Sequence, residues 1–342
     1  MADRYWGYLN GTWNNSSNTG VWSDVPISGG VGTQSGFTVT LTKGTTANMV
    51  VGQKVYKWSS AGIFSTSNNP VVQQIISSTQ FNITVPFNAA TPITFLIGNM
   101  GSFISAPTIT DNVFIALPPT DYATTITIPT TTTVVCNNFT FTPSSGATGP
   151  ATQGTGDVRI IGTTLGSSII QIYGNVIMGT PTFNATYTIS SALLFLQLRG
   201  TNKTFTKYGV SAPSYLYILG YYTQASDITT LAVFLYCDAG SWTTNNFACN
   251  VQYLYRSSTG ATAFSWFCGT TVVGVTYTGA STPLALNLGA TFDFFTTGGY
   301  FHINGAGTTN RTQSQGATAQ SANPPNVKIT AGASTLQFIS GF

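Results

Sequence analysis

The chain contains no glutamate, and its charged residues make up only 6% of 342 positions, where a soluble domain ordinarily carries about 25%. Helix surfaces are normally built from Glu, Lys and Arg, so this composition argues against helices and toward another way of meeting water. Thr, Ser, Asn and Gly take over the polar role, while hydrophobic residues remain at 42% and aromatics at 13%, well above what a disordered chain carries. Thr and the aromatics suit a pleated surface, and Asn or Thr can pair with copies of themselves on neighbouring layers. An all-β chain of stacked strands is the expectation.

The length allows one large all-β domain or two to three smaller ones. Net charge is +3, from 11 basic and 8 acidic side chains. The basic residues are scattered: Lys43, Lys54 and Lys57 fall in one stretch and Lys203 and Lys207 in another. No basic arm results, which sets nucleic acid and anionic membrane aside. Met1 to Tyr8 lacks the apolar core of a secretory signal, and the longest apolar stretch, near Ala192 to Leu198, is far too short to span a bilayer. Synthesis in a cytosol without ordinary export is expected, which makes sequons such as those at Asn82, Asn138 and Asn184 chance products of an Asn- and Thr-rich chain. Cys136, Cys237, Cys249 and Cys268 show no Cys-x-x-Cys spacing and no histidine partner, so they read as buried free thiols. No metal or cofactor is implied.

Short alternating runs dominate: Phe37 to Leu41, Phe81 to Pro86, Thr125 to Ile128, Val158 to Ile161, Ile169 to Val176, Tyr187 to Leu198, Tyr215 to Leu219, Thr230 to Tyr236, Val251 to Tyr255, Val272 to Tyr277 and Thr335 to Ile339. Gly, Ser, Asn and Pro clusters punctuate them. Residues 137–166 and 245–274 share an Asn-Asn-Phe, a Ser-Ser turn with Gly-Ala-Thr, and a Gly-Thr-Thr in the same order. Repeated strand-turn units favour a β-solenoid, in which each coil buries its face against the next.

The N-terminal residues 4–30 resemble the opening signature of a family of phage and prophage structural proteins. Arg4, Tyr5, Trp6, Gly11, Trp13, Trp22 and Ser23 match it. So do Ala106-Pro107-Thr108 and Asp111-Asn112-Val113-Phe114, while Tyr8-Leu9 and Val21 depart from it. In that family the two blocks are nearly continuous. Here residues 31–104 intervene, and their sequence resembles the small β-barrel modules of phage tail proteins, with Val51-Gly52-Gln53 in place of a Val-Gly-Asp turn. The resemblance implies three parts: residues 1–30 with 105–130 as an attachment and capping domain, residues 31–104 as an inserted small β-barrel, and residues 131–342 as a β-solenoid body. It implies a virion structural protein, tail-fibre or tailspike-like, made in the host cytoplasm and contributing to host attachment. A capsid decoration or head-fibre protein is the alternative. The family further implies a homotrimer and contact with other virion proteins through the N-terminal region; a host surface glycan is a further candidate partner.

A glycan-cleaving depolymerase would need paired carboxylates. Eight Asp are available; Asp227 and Asp238 could face each other across a turn, though each sits where Asp caps its own backbone. The single histidine, His302, lies in an alternating run without a nucleophile motif, so no enzyme is expected. Trp6, Trp13 and Trp22 are spaced to form a compact plug that either caps a solenoid end or anchors an interface. Tyr217, Tyr221, Tyr222, Trp242 and Trp266 are candidates for a platform on which sugar rings stack. Tyr215, Tyr217 and Phe234 are candidates for burial along a symmetry axis.

Overall fold

Alternation of apolar and polar residues sets the strands, because successive side chains of an extended chain point to opposite faces. In Ser168–Ile172 the side chains of Ile170 and Ile172 are buried while Ile169 and Gln171 face outward; Leu194–Leu198 repeats the pattern. The computed structural model describes residues 1–6, 11–14, 22–24, 28–47, 49–59, 62–64, 69–87, 93–98, 105–115, 124–141, 158–162, 167–179, 187–189, 194–208, 213–229, 231–232, 234–255, 263–277, 286–287, 292–305, 309–313, 327–331 and 335–338. Among these the chain forms strands and no helix.

Four of the five sheets are parallel, and they share one construction. In the ten-stranded sheet, Asp3–Trp6 pairs with Asn112–Ile115, then Phe139–Phe141, Val176–Met178, Lys203–Lys207, Tyr221–Gln224, Gly240–Thr243, Phe264–Gly269 and Phe292–Thr296 follow in chain order. Only Trp22–Ser23, at its N-terminal edge, runs antiparallel. A nine-stranded sheet runs in the same way from Thr133–Cys136 to Thr335–Phe338. Two four-stranded sheets, from Gly11–Thr12 to Tyr187–Ile189 and from Cys249–Val251 to Val327–Ala331, are also parallel. The chain visits the sheets in rotation, so each strand pairs with the one that follows when the chain returns. Inward-facing residues of all four, from Trp6 to Phe301, form one hydrophobic cluster.

The corners explain how the chain turns so tightly. Gly174, Gly200 and Gly220 stand between strands of the nine-stranded and ten-stranded sheets in successive layers, and Gly240 opens the strand Gly240–Thr243 in the next. A Cβ on Gly220 would collide with the Gly200 carbonyl, and one on Gly240 with that of Gly220. The amides after them close the stack, Tyr221 N–H donating to Gly200 O at 2.8 Å and Ser241 N–H to Gly220 O at 2.9 Å. Along the outer edge of the ten-stranded sheet, polar side chains form a ladder. Asn112 Nδ2 donates to Asp3 Oδ1 at 2.8 Å, Asn138 Nδ2 to Asn112 Oδ1 at 2.8 Å, Asn175 N–H to Asn138 Oδ1 at 2.7 Å, and Thr204 N–H to Asn175 Oδ1 at 2.9 Å. Neutral amides thus satisfy the corners that charge would otherwise solvate.

The sequence repeat does not correspond to this architecture. Asn137 and Asn138 lead from the nine-stranded sheet into strand Phe139–Phe141, whereas Asn245 and Asn246 lead out of the ten-stranded sheet, and Phe247 lies in a turn. The repeat's turn segments, within 142–157 and 256–262, lie outside the described residues.

The fifth sheet is antiparallel. Its seven strands run from Ser28–Ser35 to Ile93–Gly98, around a second cluster of Val39, Leu41, Val55, Phe81, Phe95 and Ile97 with their neighbours. Val72, in its last-ordered strand, exchanges hydrogen bonds with Gln53 O and Gly52 N–H, both at 2.8 Å, and Val55 N–H donates to Pro70 O at 2.7 Å. The order of strands thereby returns toward Lys54–Ser59. Two consecutive residues of that strand are both buried: Val55 belongs to the second cluster and Tyr56 to the main one.

Candidate interaction face

The tryptophan spacing produces a folded knot. Trp6 and Trp22 oppose each other across the antiparallel pair, their rings edge-to-face at 4.9 Å. Trp13 meets Trp22 at 5.1 Å and lies parallel to Phe139 at 6.5 Å, while Trp22 Nε1 donates to Trp13 O at 2.7 Å. All three rings are fully enclosed. Their aromatic surface is therefore spent inside the chain, not offered to a partner.

The N-terminal strand is held by Asp111, whose Oδ1 accepts from Ala2 N–H at 3.1 Å and whose Oδ2 accepts from the Thr108 N–H and hydroxyl at 3.0 and 2.8 Å. Arg4 Nε lies 3.8 Å away. Burial works to raise the Asp111 carboxyl, but these donors and the guanidinium outweigh it and hold the group below the ordinary carboxylate value. With Arg4 opposite Val113 and Tyr5 opposite Phe114, and the Tyr5 and Phe114 rings stacked at 4.9 Å, the two sequence blocks that carry the family resemblance are neighbours in space.

The most distinctive surface is the outer face of the nine-stranded sheet. Inward residues of Tyr215–Ile218 are Leu216 and Ile218, so Tyr215 and Tyr217 point outward, and Phe234 with Tyr236 repeats this in the next strand. Parallel register then superposes like on like: Phe195, Tyr215, Phe234 and Tyr253 form one column, and Tyr217, Tyr236 and Tyr255 a second. Ring centroids lie 5.1 Å apart for Tyr215 and Phe234, 4.7 Å for Phe234 and Tyr253, and 4.4 Å for Tyr217 and Tyr236, with interplanar angles of 13°, 10° and 6°. Gln197 and Gln171 continue the second column, Gln171 Nε2 donating to Gln197 Oε1 at 3.1 Å, and Arg199 Nε reaches the same oxygen at 3.1 Å.

Burial, then the neighbouring Tyr236 phenol and the Asp238 carboxylate, push the Tyr217 phenol far up; burial and the same kinds of neighbour raise Tyr236. The Tyr217 and Tyr236 phenols stay neutral donors throughout the physiological range. Because the rings stack face to face, neighbouring rings cover one another's faces and the half-buried rings meet solvent at their edges, while Tyr253 at the end of the first column is itself buried. Such a surface is apolar in bulk and hydrogen-bonding at its tips, the combination enriched where proteins associate.

The sugar-stacking platform needs correction on this geometry. Tyr222, Trp242 and Trp266 are enclosed in the core, Tyr221 is 52% exposed but on the ten-stranded sheet, and Tyr217 has its ring covered in the column. Tyr221 and Tyr222 are adjacent in one strand and so face opposite ways. These residues share no surface.

The suggested carboxylate pair also separates. Asp227 follows strand Tyr221–Gln224 and Asp238 precedes its parallel neighbour Gly240–Thr243, which puts them at opposite ends of the same sheet, roughly 10 Å or more apart along the strand direction. Asp227 Oδ1 accepts from Ala248 N–H at 2.8 Å, as a backbone cap. The His302 ring lies 6.4 Å from that of Tyr300, in a strand opposite Gly274 and Lys328. All four cysteines are buried free thiols; burial raises Cys136 and Cys249, and lifts Cys268 to about 11. Among the described residues no three His, Cys, Asp or Glu side chains gather as a metal site.

Tyr215, Tyr217 and Phe234, the three residues grouped as candidates for an axis, fall within these columns, while Phe195, Tyr236, Tyr253 and Tyr255 join them only through register. Tyr-Leu-Tyr at 215–217, Phe-Leu-Tyr at 234–236 and Tyr-Leu-Tyr at 253–255 recur at a step of 19 residues, the short end of repeat periods. No family model, no curated protein and no solved structure matches the sequence.

Proposed function

We propose that this chain is a phage virion structural protein, a tail-fibre or tailspike-like component whose body is a β-solenoid. The observation that carries the reading is the in-register parallel ladder from Asp3 to Phe338, with an apolar interior and neutral amide corners. A chain wound in this way gives an elongated, rigid and chemically inert shaft. The tryptophan knot closes the first coil, as terminal repeats require, and the antiparallel unit between Ser28 and Gly98 is an inserted β-barrel joined by the return of Val72 to Gln53. The resemblance of residues 4–30 and 106–114 supports an attachment role for the N-terminal region.

The aromatic columns support self-association as a homotrimer, the rings and phenols of three chains meeting along one axis. Tyr is among the residues that dominate such interfaces, and closed symmetry covers surface that 6% charge leaves poorly solvated. Immunogold labelling of purified particles with antibody to this chain tests the assignment. Label on the tail is expected; label on the capsid moves the chain to a head fibre, and particles free of label contradict a virion role.

A further inference from the structure

The net charge of +3 is not spread over the molecule. Residues 28–98 contain Lys43, Lys54 and Lys57 and no acidic residue, while the remainder has eight basic and eight acidic side chains. The whole excess lies in the antiparallel unit. The same unit exposes aliphatic side chains at one corner. Val50 is 60% exposed, Val51 58%, Ile76 48% and Ile75 37%.

Hydrogen bonds set the two segments that carry these residues side by side. Thr46 N–H donates to Ser78 O at 2.9 Å and its hydroxyl to Ser77 O at 2.6 Å, at one end of the loop; at the other, Gly52 N–H donates to Val72 O at 2.8 Å. The described residues Thr46–Ala47 and Met49–Gln53 therefore lie beside strand Val72–Ile75 and the turn after it. The Met49–Gln53 segment is also held from within: Gln53 Oε1 accepts from Val50 N–H at 2.8 Å, and Gly52, at φ 93° with no atom near its missing Cβ, takes the left-handed turn that projects Val50 and Val51. Lys54, exposed, follows directly and bridges Val71; Lys43 precedes the loop.

We propose that this corner is a peripheral binding site for anionic lipid surfaces. Aliphatic tips on a pre-ordered loop enter the boundary between headgroups and acyl chains, where they need no hydrogen-bond partner, and the exposed Lys54 beside them stays at the level of anionic headgroups. A neutral apolar partner would leave the charge asymmetry without purpose, and a soluble polyanion would leave the aliphatics exposed. With no acidic residue in the unit, nothing on it repels an anionic surface. This departs from the whole-chain reading, which set anionic membrane aside because the basic residues are few and scattered over 342 positions. The proposal does not depend on the virion assignment.

The test is flotation of the full chain with phosphatidylcholine vesicles containing or lacking phosphatidylglycerol, at low and high salt. Expected is binding to the anionic vesicles that weakens with salt. It should fall roughly tenfold or more in the Val50→Asp/Ile76→Asp variant and about tenfold in Lys54→Glu, with the β circular dichroism of each variant unchanged. Equal binding to both vesicle types, binding unaltered in the aspartate variant, or capture by dextran sulfate without vesicle binding would each overturn it.

Discussion

Removing one oxygen atom tests the corner packing. The Tyr222 hydroxyl is buried where the glycine corner leaves room for it: Gly200 N–H donates to it at 3.2 Å, and it faces Ile172 O at 3.1 Å and Gly174 O at 3.0 Å. Two layers of backbone are thus tied to a third through one phenol, and burial raises that phenol far above its ordinary value. Tyr222→Phe keeps the ring and opens no large cavity. Ile172 O retains Arg199 N–H as a donor at 2.8 Å, so the loss falls on Gly200 N–H and Gly174 O. Leaving buried groups unsatisfied costs about 1–3 kcal/mol, and a destabilisation of about 2 kcal/mol is expected. Urea unfolding monitored by circular dichroism should show a lower midpoint at unchanged slope, while Tyr221→Phe, on the exposed neighbour, stays within about 0.5 kcal/mol. Equal midpoints for Tyr222→Phe and the unaltered chain would refute the hydroxyl's role.

Gly220→Ala places a methyl against the Gly200 carbonyl, and should cost roughly 2 kcal/mol or more and lower the thermal midpoint. Lys207 faces the interior, and burial lowers its amine to about 8 from 10.5. The unfolded chain then binds more protons between those values, so stability should rise with pH from about 8 until the buried phenols, whose protonated forms folding favours, reverse it above their ordinary value near 10. Lys207→Met should remove the rising limb in unfolding curves taken across that range. Asp111 lies below its ordinary 3.8, so its contribution is present above that pH and lost as the solution falls through the folded value. Limited proteolysis should cut the N-terminal strand first under acid, and Asp111→Asn should make it equally susceptible at neutral pH.

Strands were legible because alternation depends only on neighbours; corners and register were not. The run Ile169 to Val176 reads as one strand, yet the chain turns at Gly174 and places Ser168–Ile172 and Val176–Met178 in different sheets. The tight stacking that requires glycine there comes from residues many positions away, at Asn137 and Asn138. Register decided the aromatic site in the same way. The rings of Tyr215, Phe234 and Tyr253 become a column only once three parallel strands align, whereas Tyr222 and Trp242 differ from Tyr217 by strand phase and by sheet. The tryptophan cluster was the easier reading, since its close spacing forces contact. Its complete burial depends on Phe139, which no local pattern supplies.

The central claim is that the stacked aromatic face drives association of the parallel body, and the mass of the purified chain in dilute neutral solution measures it. Mass photometry should give three times the 36.1 kDa chain mass, and Tyr217→Arg/Tyr236→Arg, which puts charges into the second column, should give the single-chain mass with its β circular dichroism intact. An unaltered chain that is monomeric, or an arginine variant that remains assembled, would contradict the account.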